Sequence, residues 1–241
     1  MKYLYFALAI VALYYLTRFI LKLPAVKGAL GELKVKRALR WQKYVINNLI
    51  IADERGHTSQ IDHIVINSAG IFVIETKNYA GRIYGNDSQL EWTQVLNYGR
   101  IKNKLYNPVK QNATHIYKLS KIIGNDFPIF SVVVFVKGNT EFIESDDVYT
   151  IQEMKFLIKE GADKQLPDEK ILEIYNKLLD LKENCKITSR EHIQNIDKLQ
   201  TELEEGICPR CGGELVERKG KNGSFLGCSN YPSCRFTKRI D

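Results

Sequence analysis

Asp62, Glu75 and Lys77 form a D-x12-E-x-K pattern inside two apolar, β-branched runs. Residues 60–67 and 71–78 read as strands joined through Ser68, Ala69 and Gly70. Side chains alternate faces along a strand, so Ile71, Val73, Glu75 and Lys77 share one side. A tight hairpin pairs Asn67 with Gly70 or Ile66 with Ile71, and either pairing sets Asp62 opposite Glu75. Opposed residues bring their Cβ atoms within about 5 Å. Two carboxylates that close, on a face otherwise made of Ile64, Ile66, Ile71 and Val73, repel each other unless a cation lies between them. A hard divalent ion with oxygen ligands, Mg²⁺ or Mn²⁺, suits the pair. Lys77 beside it would orient or deprotonate a water, or neutralise charge building on a phosphate. His63 falls on the opposite face and reads as structural. The alternative is a solvated sheet face with an ordinary Asp, Glu and Lys cluster.

The tail offers a different chemistry. Cys208-Pro209-Arg210-Cys211 and Cys228 to Cys234 supply four thiolates in two short-spaced pairs. Such knuckles suit tetrahedral Zn²⁺, and Asn222-Gly223 between two strand-like runs is a hairpin signal that folds the intervening residues into a ribbon. Phe225, Tyr231 and Phe236 interleave with Arg218, Lys219, Lys221, Arg235 and Lys238, the mixture of stacking faces and phosphate contacts used on single strands. The other reading makes the aromatics the small core of the ribbon. Cys185 stands outside this set and reads as a lone thiol.

The elements that would position these groups follow from pattern. Residues 28–41 have helical spacing, with Ala29, Leu33, Val35 and Leu39 on the side of Glu32, so this glutamate sits in an apolar stripe and needs a partner. Residues 44–52 and 129–136 read as strands, with a polar loop over 53–59. Asn107-Pro108 is an N-cap and first-turn pair opening a helix that carries Gln111, His115, Leu119 and Ile122 on one face. Gln111 and His115 could contact a metal-bound water or phosphate, or form a hydrogen-bonded core pair. Further helices fall over 151–159 and 167–184, and Thr188 with Glu191 forms a capping box for a last one.

With 44% hydrophobic residues and only 6 Pro in 241, the chain is not disordered, collagen-like or of low complexity. Its net charge of +7 lies at the ends, since residues 1–27 and 206–241 carry about +4 each. Residues 3–17 are uncharged, and letting Arg18 snorkel extends the apolar run to Leu21, roughly 28 Å of helix. A single-pass anchor over residues 1–23 is therefore expected, with the basic residues that follow placing the bulk of the chain in the cytoplasm at the cell membrane.

Gly31-Glu32, the run from Gln60 to Val65, the run from Gly70 to Tyr79, Gly81, Trp92 and the run from Asn107 to Asn112 together resemble the nuclease-related domain, assigned to the PD-(D/E)xK nuclease superfamily. The resemblance implies an α/β (α+β) fold, a restriction-endonuclease-like mixed sheet flanked by helices. It puts Asp62, Glu75 and Lys77 in the positions of the metal and water site, with Glu32 matching the helical acid and Gln111 the later helical polar residue. The tail is similar to the C4 zinc fingers of bacterial type I topoisomerases, which implies DNA, single-stranded or processed, as partner. The expected organisation is an anchor at 1–23, the nuclease-like domain at 27–140, a helical extension at 141–205 and the zinc ribbon at 206–241. Function is expected to be Mg²⁺-dependent phosphodiester hydrolysis on DNA, with structural Zn²⁺ and no small-molecule cofactor. The alternative is a non-catalytic module that tethers DNA at the membrane.

Overall fold

The computed structural model describes residues 5, 12–17, 19–20, 23–53, 55–160, 166–220 and 223–239. Among them no helix is long and apolar enough to cross a membrane, which overturns the single-pass anchor and the membrane localisation drawn from it. The physical reason is length: the uncharged stretch over 3–17 gives only about 22 Å of helix against a hydrocarbon core of about 30 Å, and Arg18 closes it. Arg18, which was to snorkel, and the next basic residue, Lys22, lie outside the described residues.

In chain order the elements are α1 (Pro24–Ala38), β1 (Tyr44–Ala52), β2 (Thr58–Asn67), β3 (Gly70–Lys77), β4 (Arg82–Asn86), β5 (Glu91–Leu96) and β6 (Ile101–Tyr106). There follow α2 (Pro108–Ile123), β7 (Ile129–Phe135), β8 (Ile143–Glu144), β9 (Val148–Tyr149), α3 (Ile151–Glu160), α4 (Asp168–Glu183) and α5 (Ser189–Glu204). The tail holds β10 (Leu215–Gly220), β11 (Gly223–Cys228) and β12 (Thr237–Arg239). By their contacts these fall into two units, residues 1–49 with 61–181, and residues 50–60 with 182–241.

A five-stranded mixed sheet of order β1-β2-β3-β7-β9 centres the first unit, in line with the expected sheet flanked by helices. β2 and β3 pair antiparallel with Asn67 opposite Gly70 and His63 opposite Ile74, while β3 pairs parallel with β7. Gly70 adopts φ +147°, and a Cβ there would collide with the Pro128 carbonyl and the Phe130 ring, so only glycine fits the turn. One face of the sheet packs Val65, Phe72, Ile74, Val132 and Val134 against Val35 of α1, Leu39 just after it, and Met154 and Ile158 of α3. On the other face, Val133 and Phe135 meet Ile83 and Trp92 of a second sheet of order β6-β5-β4-β8. This meander was not foreseen. Its strands are short and polar, and only every second side chain turns inward.

The buried residues of α1 are Gly31 and Val35, followed by Leu39 just beyond its end, whereas Leu33 is 39% exposed. The stripe expected around Glu32 is therefore corrected: the packed face lies to one side of it, because Gly31 must approach Asn78 closely, where a Cβ would sit 2.8 Å from the Asn78 Cβ.

In the second unit, α5 starts with the expected capping box between Thr188 and Glu191. β10, β11 and β12 form an antiparallel ribbon, with Arg218 opposite Phe225 and Phe225 opposite Arg239. Residues 50–60 belong here too: Arg55 donates to the Cys208 carbonyl and pairs with Glu202 at 3.1 Å, His57 Nε2 lies 2.9 Å from the same carboxylate, and Thr58 Oγ1 lies 2.6 Å from His192 Nδ1.

Candidate active site and zinc centre

The β2–β3 register, continued one pair beyond His63 and Ile74, puts Asp62 across from Glu75. Asp62 is half-buried and its Oδ2 accepts the Thr76 backbone N–H at 2.8 Å. Glu75 is 3% exposed. Its Oε1 accepts from Lys77 Nζ at 2.7 Å, and its Oε2 lies 3.3 Å from His115 Nε2 without hydrogen-bonding geometry. Lys77 Nζ also donates to Gln111 Oε1 at 2.9 Å.

α2 delivers Gln111 and His115 because its start is fixed twice. Asn107 Oδ1 accepts from the Val109 N–H at 2.9 Å, while its Nδ2 donates to the Gln89 carbonyl at 2.7 Å, tying the helix to the β4–β5 turn. One turn on, Asn112 donates from Nδ2 to the Val73 carbonyl at 2.9 Å and to Ser131 Oγ at 3.0 Å, which pins α2 beside β3.

Burial and the Glu75 charge raise the pKa of Asp62 well above the carboxylate range, against the opposing Thr76 hydrogen bond. Burial would raise Glu75 as well, but His115 and Lys77 together hold it low. For Lys77, burial is outweighed by Glu75 and the other anionic groups around it, and its pKa goes up. Glu32 is half-buried and raised, first by burial and then by Glu75. His63 is buried on the opposite face, hydrogen-bonded to Asn47 Oδ1 at 2.7 Å, and burial lowers it to about 4.

Asp62, Glu75, Lys77 and Gln111 thus come together, with Glu32 close enough to feel their charge. His115, offered with Gln111 as either a site contact or half of a core pair, joins them through Glu75 at 3.3 Å. The carboxylates of Glu32, Asp62 and Glu75 do not converge as a ready three-ligand set. Among the described residues only the four cysteines form such a cluster. The orphaned, buried Glu75 Oε2 beside a half-buried Asp62 suits a divalent ion, which would take two oxygen ligands and relieve their repulsion. A concavity of about 520 Å³ is lined by Val148, Tyr149 and Phe156 among others and includes none of these residues.

In the tail, the Sγ atoms of Cys208, Cys211, Cys228 and Cys234 all lie within 4.8 Å of one another, and no cysteine is in a disulfide. That spacing fits tetrahedral thiolate coordination at Zn–S distances of about 2.3 Å. The Gly213 backbone N–H holds Cys211 down at about 6, and burial pushes Cys228 up to about 12. Cys208, Cys228, Cys234 and Leu215 form a core with Leu203, Leu226 and Phe236 packed on it, so Phe236 serves the ribbon interior. Tyr231 is 61% exposed, with the Arg218 guanidinium 5.8 Å from its ring centre. Phe225 is half-buried opposite Arg218, and Lys219, Arg235 and Lys238 are exposed. Lys221 lies outside the described residues.

Two family models match the chain: the nuclease-related domain over residues 27–136, and the topoisomerase DNA binding C4 zinc finger over residues 205–241. An uncharacterized protein of Bacillus anthracis is 33% identical over 180 residues, 71% of this chain and 84% of that protein. DNA topoisomerase 1 of Methanocaldococcus jannaschii is 39% identical over 82 residues, 32% of this chain and 11% of that enzyme. DNA topoisomerase 1 of Archaeoglobus fulgidus is 33% identical over 170 residues, 64% of this chain and 23% of that enzyme. The chain therefore spans only a small part of these topoisomerases. No solved structure matches it.

Proposed function

The chain belongs to the nuclease-related domain family, and from that premise we propose that it is a divalent-metal-dependent nuclease that holds DNA through its zinc ribbon and hydrolyses phosphodiester bonds. The observation that carries the reading is the buried Glu75, whose carboxylate meets Lys77 on one oxygen and leaves the other without a hydrogen bond, across from Asp62. Asp62 and Glu75 would hold Mg²⁺ or Mn²⁺. A bound ion supplies Lewis-acid charge to a phosphate oxygen and lowers the pKa of a water. Lys77, with Gln111 fixing its ammonium, is placed to hold the water or a phosphate oxygen; Glu32 supports the electrostatics. Water oxygen would bond to phosphorus and release its proton to solvent while the phosphorus–oxygen ester bond breaks and the leaving oxygen takes up a proton from solvent. Four thiolates hold structural Zn²⁺, and Arg218, Tyr231 and Phe225 with Lys219, Lys221, Arg235 and Lys238 supply the DNA contacts.

The test is cleavage of DNA by the purified chain in Mg²⁺ or Mn²⁺. Activity is expected in the unsubstituted chain and absent in Lys77→Ala and in the isosteric Asp62→Asn, with circular dichroism unchanged for the latter. No cleavage of single-stranded or duplex DNA with either ion overturns the reading.

The prior engagement of Glu75 by Lys77 and His115 favours a second reading, a nuclease-like fold that binds DNA without cutting it. Calorimetric titration with Mn²⁺ separates the two. A nuclease binds the ion, and loses that affinity in Asp62→Asn; a binding-only module shows no difference between the two proteins.

A further inference from the structure

The β4–β5–β6 meander covers the sheet face that bears Glu75 and Lys77, since Val133 and Phe135 of β7 stand beside those residues and pack against Ile83 and Trp92. Its outer face is exposed and carries basic and aromatic side chains. Register places Arg82, Val95 and Lys102 in one cross-strand row and Tyr84, Thr93 and Lys104 in the next, while Ile83, Trp92 and Gln94 turn inward and are buried. Arg82, Lys102 and Lys104 are all exposed, with Glu91 of β5 and Glu144 of β8 as the acids on the same face. Along β6 the two lysines are about 7 Å apart, a spacing that follows a polyanion. Tyr84 stacks on Phe142 with ring centres 4.8 Å apart, and Arg82 lies 5.5 Å from the Phe142 ring centre, leaving both rings over a third exposed. At the hairpin tip Tyr98 has φ +56° and ψ +36°, flanked by Asn97 and Gly99 at positive φ, and its ring is fully exposed. A non-glycine residue in this region is strained, and an exposed ring recovers none of that strain by packing.

We propose that this outer face and its Tyr98 tip bind single-stranded DNA, with Arg82, Lys102 and Lys104 on the phosphates and Tyr98 and the Tyr84–Phe142 stack under the bases. The choice of ligand rests on the reading of the notch as a site for DNA; the surface itself is separate from the zinc ribbon. Charge and alternating aromatic faces match a strand whose bases are free to stack, whereas a duplex hides them.

The experiment is fluorescence anisotropy with a dye-labelled single-stranded oligonucleotide, using the full zinc-loaded chain without added Mg²⁺ or Mn²⁺, across a salt series. The double variant Lys102→Gln, Lys104→Gln should bind about tenfold more weakly at low salt and flatten the log affinity against log salt line by about 1.4, roughly 0.7 per lost phosphate contact. Tyr98→Ala should weaken binding by about tenfold with the slope unchanged. If the double variant keeps both affinity and slope, the proposal is overturned, and the lysines merely guard an open sheet edge. A duplex competitor as effective as the single strand also overturns it. Cleavage is assayed separately: a chain that cuts but binds unchanged in the double variant defeats this surface alone, and a chain that binds through it without cutting supports the surface while defeating the nuclease reading.

Discussion

The cysteine cluster and the carboxylate notch each gather like groups that repel one another, and they do so in opposite ways. The four sulfurs come from two short loops and already lie within 4.8 Å of one another, so their geometry is local. The notch draws Asp62 from β2, Glu75 and Lys77 from β3 and Gln111 from α2, and its charges neutralise one another, Lys77 sitting 2.7 Å from Glu75. A centre made of nearby loops is built to keep its ion. A centre spread over a sheet and a helix is built to exchange contacts, and depends on everything that aligns those elements.

Removing zinc breaks the comparison most sharply. The ribbon core contains three of the four cysteines and few other buried side chains, so a chelator or Cys208→Ser should unfold residues 205–241, an effect of about 10 kcal/mol or more by the affinity of structural zinc sites. Limited proteolysis should then cut the tail and spare the first unit. Lys77→Ala should lower cleavage by about a thousandfold and, in the absence of divalent ion, destabilise the first unit by about 3 kcal/mol, because Glu75 loses its buried partner. Adding Mn²⁺ should restore part of the melting temperature; no restoration would separate the lysine from any metal role.

A third probe concerns the back of the notch. His63 is held to about 4 when folded but titrates near 6.5 when unfolded, so the unfolded chain takes up the proton first as pH falls. Its contribution is complete above pH 6.5, is lost progressively down to pH 4, and amounts to about 3 kcal/mol. Denaturant titrations from pH 7 to 4 should show this slope, and His63→Gln should lack it. Smallest, Asn107→Ala should cost about 2 kcal/mol by uncapping α2 and releasing the Gln89 carbonyl. Because Gln111 follows on that helix, cleavage should fall further than the ribbon-dependent binding of DNA.

The register that aligns Asp62 with Glu75 was legible because two apolar strands and a tight turn leave one pairing that buries both faces. The cysteine ribbon was legible from spacing. His115 and Asn112 became meaningful only when α2 was docked, since helical periodicity says which residues share a face and not what that face meets. Strands β4 to β6 were not legible: their inward residues include Gln94, which bonds to Asn103 and the Ala80 carbonyl, so the buried side does not read as apolar. The terminal apolar run misled for the opposite reason, since composition suggested a span that length does not supply.

Arg55 finds the Cys208 carbonyl across 153 residues of chain. During synthesis at about 5–20 residues per second, the hairpin tip emerges roughly eight to thirty seconds before Cys208. The tip between β1 and β2 can close on its own bonds, from the Asp53 N–H to the His57 carbonyl and from the His57 N–H to Asp53 Oδ1, and Glu202 and Cys208 reach it only later. A ribosome that stalls before Glu202 leaves that oldest turn without the carboxylate that Arg55 and His57 meet in the finished fold.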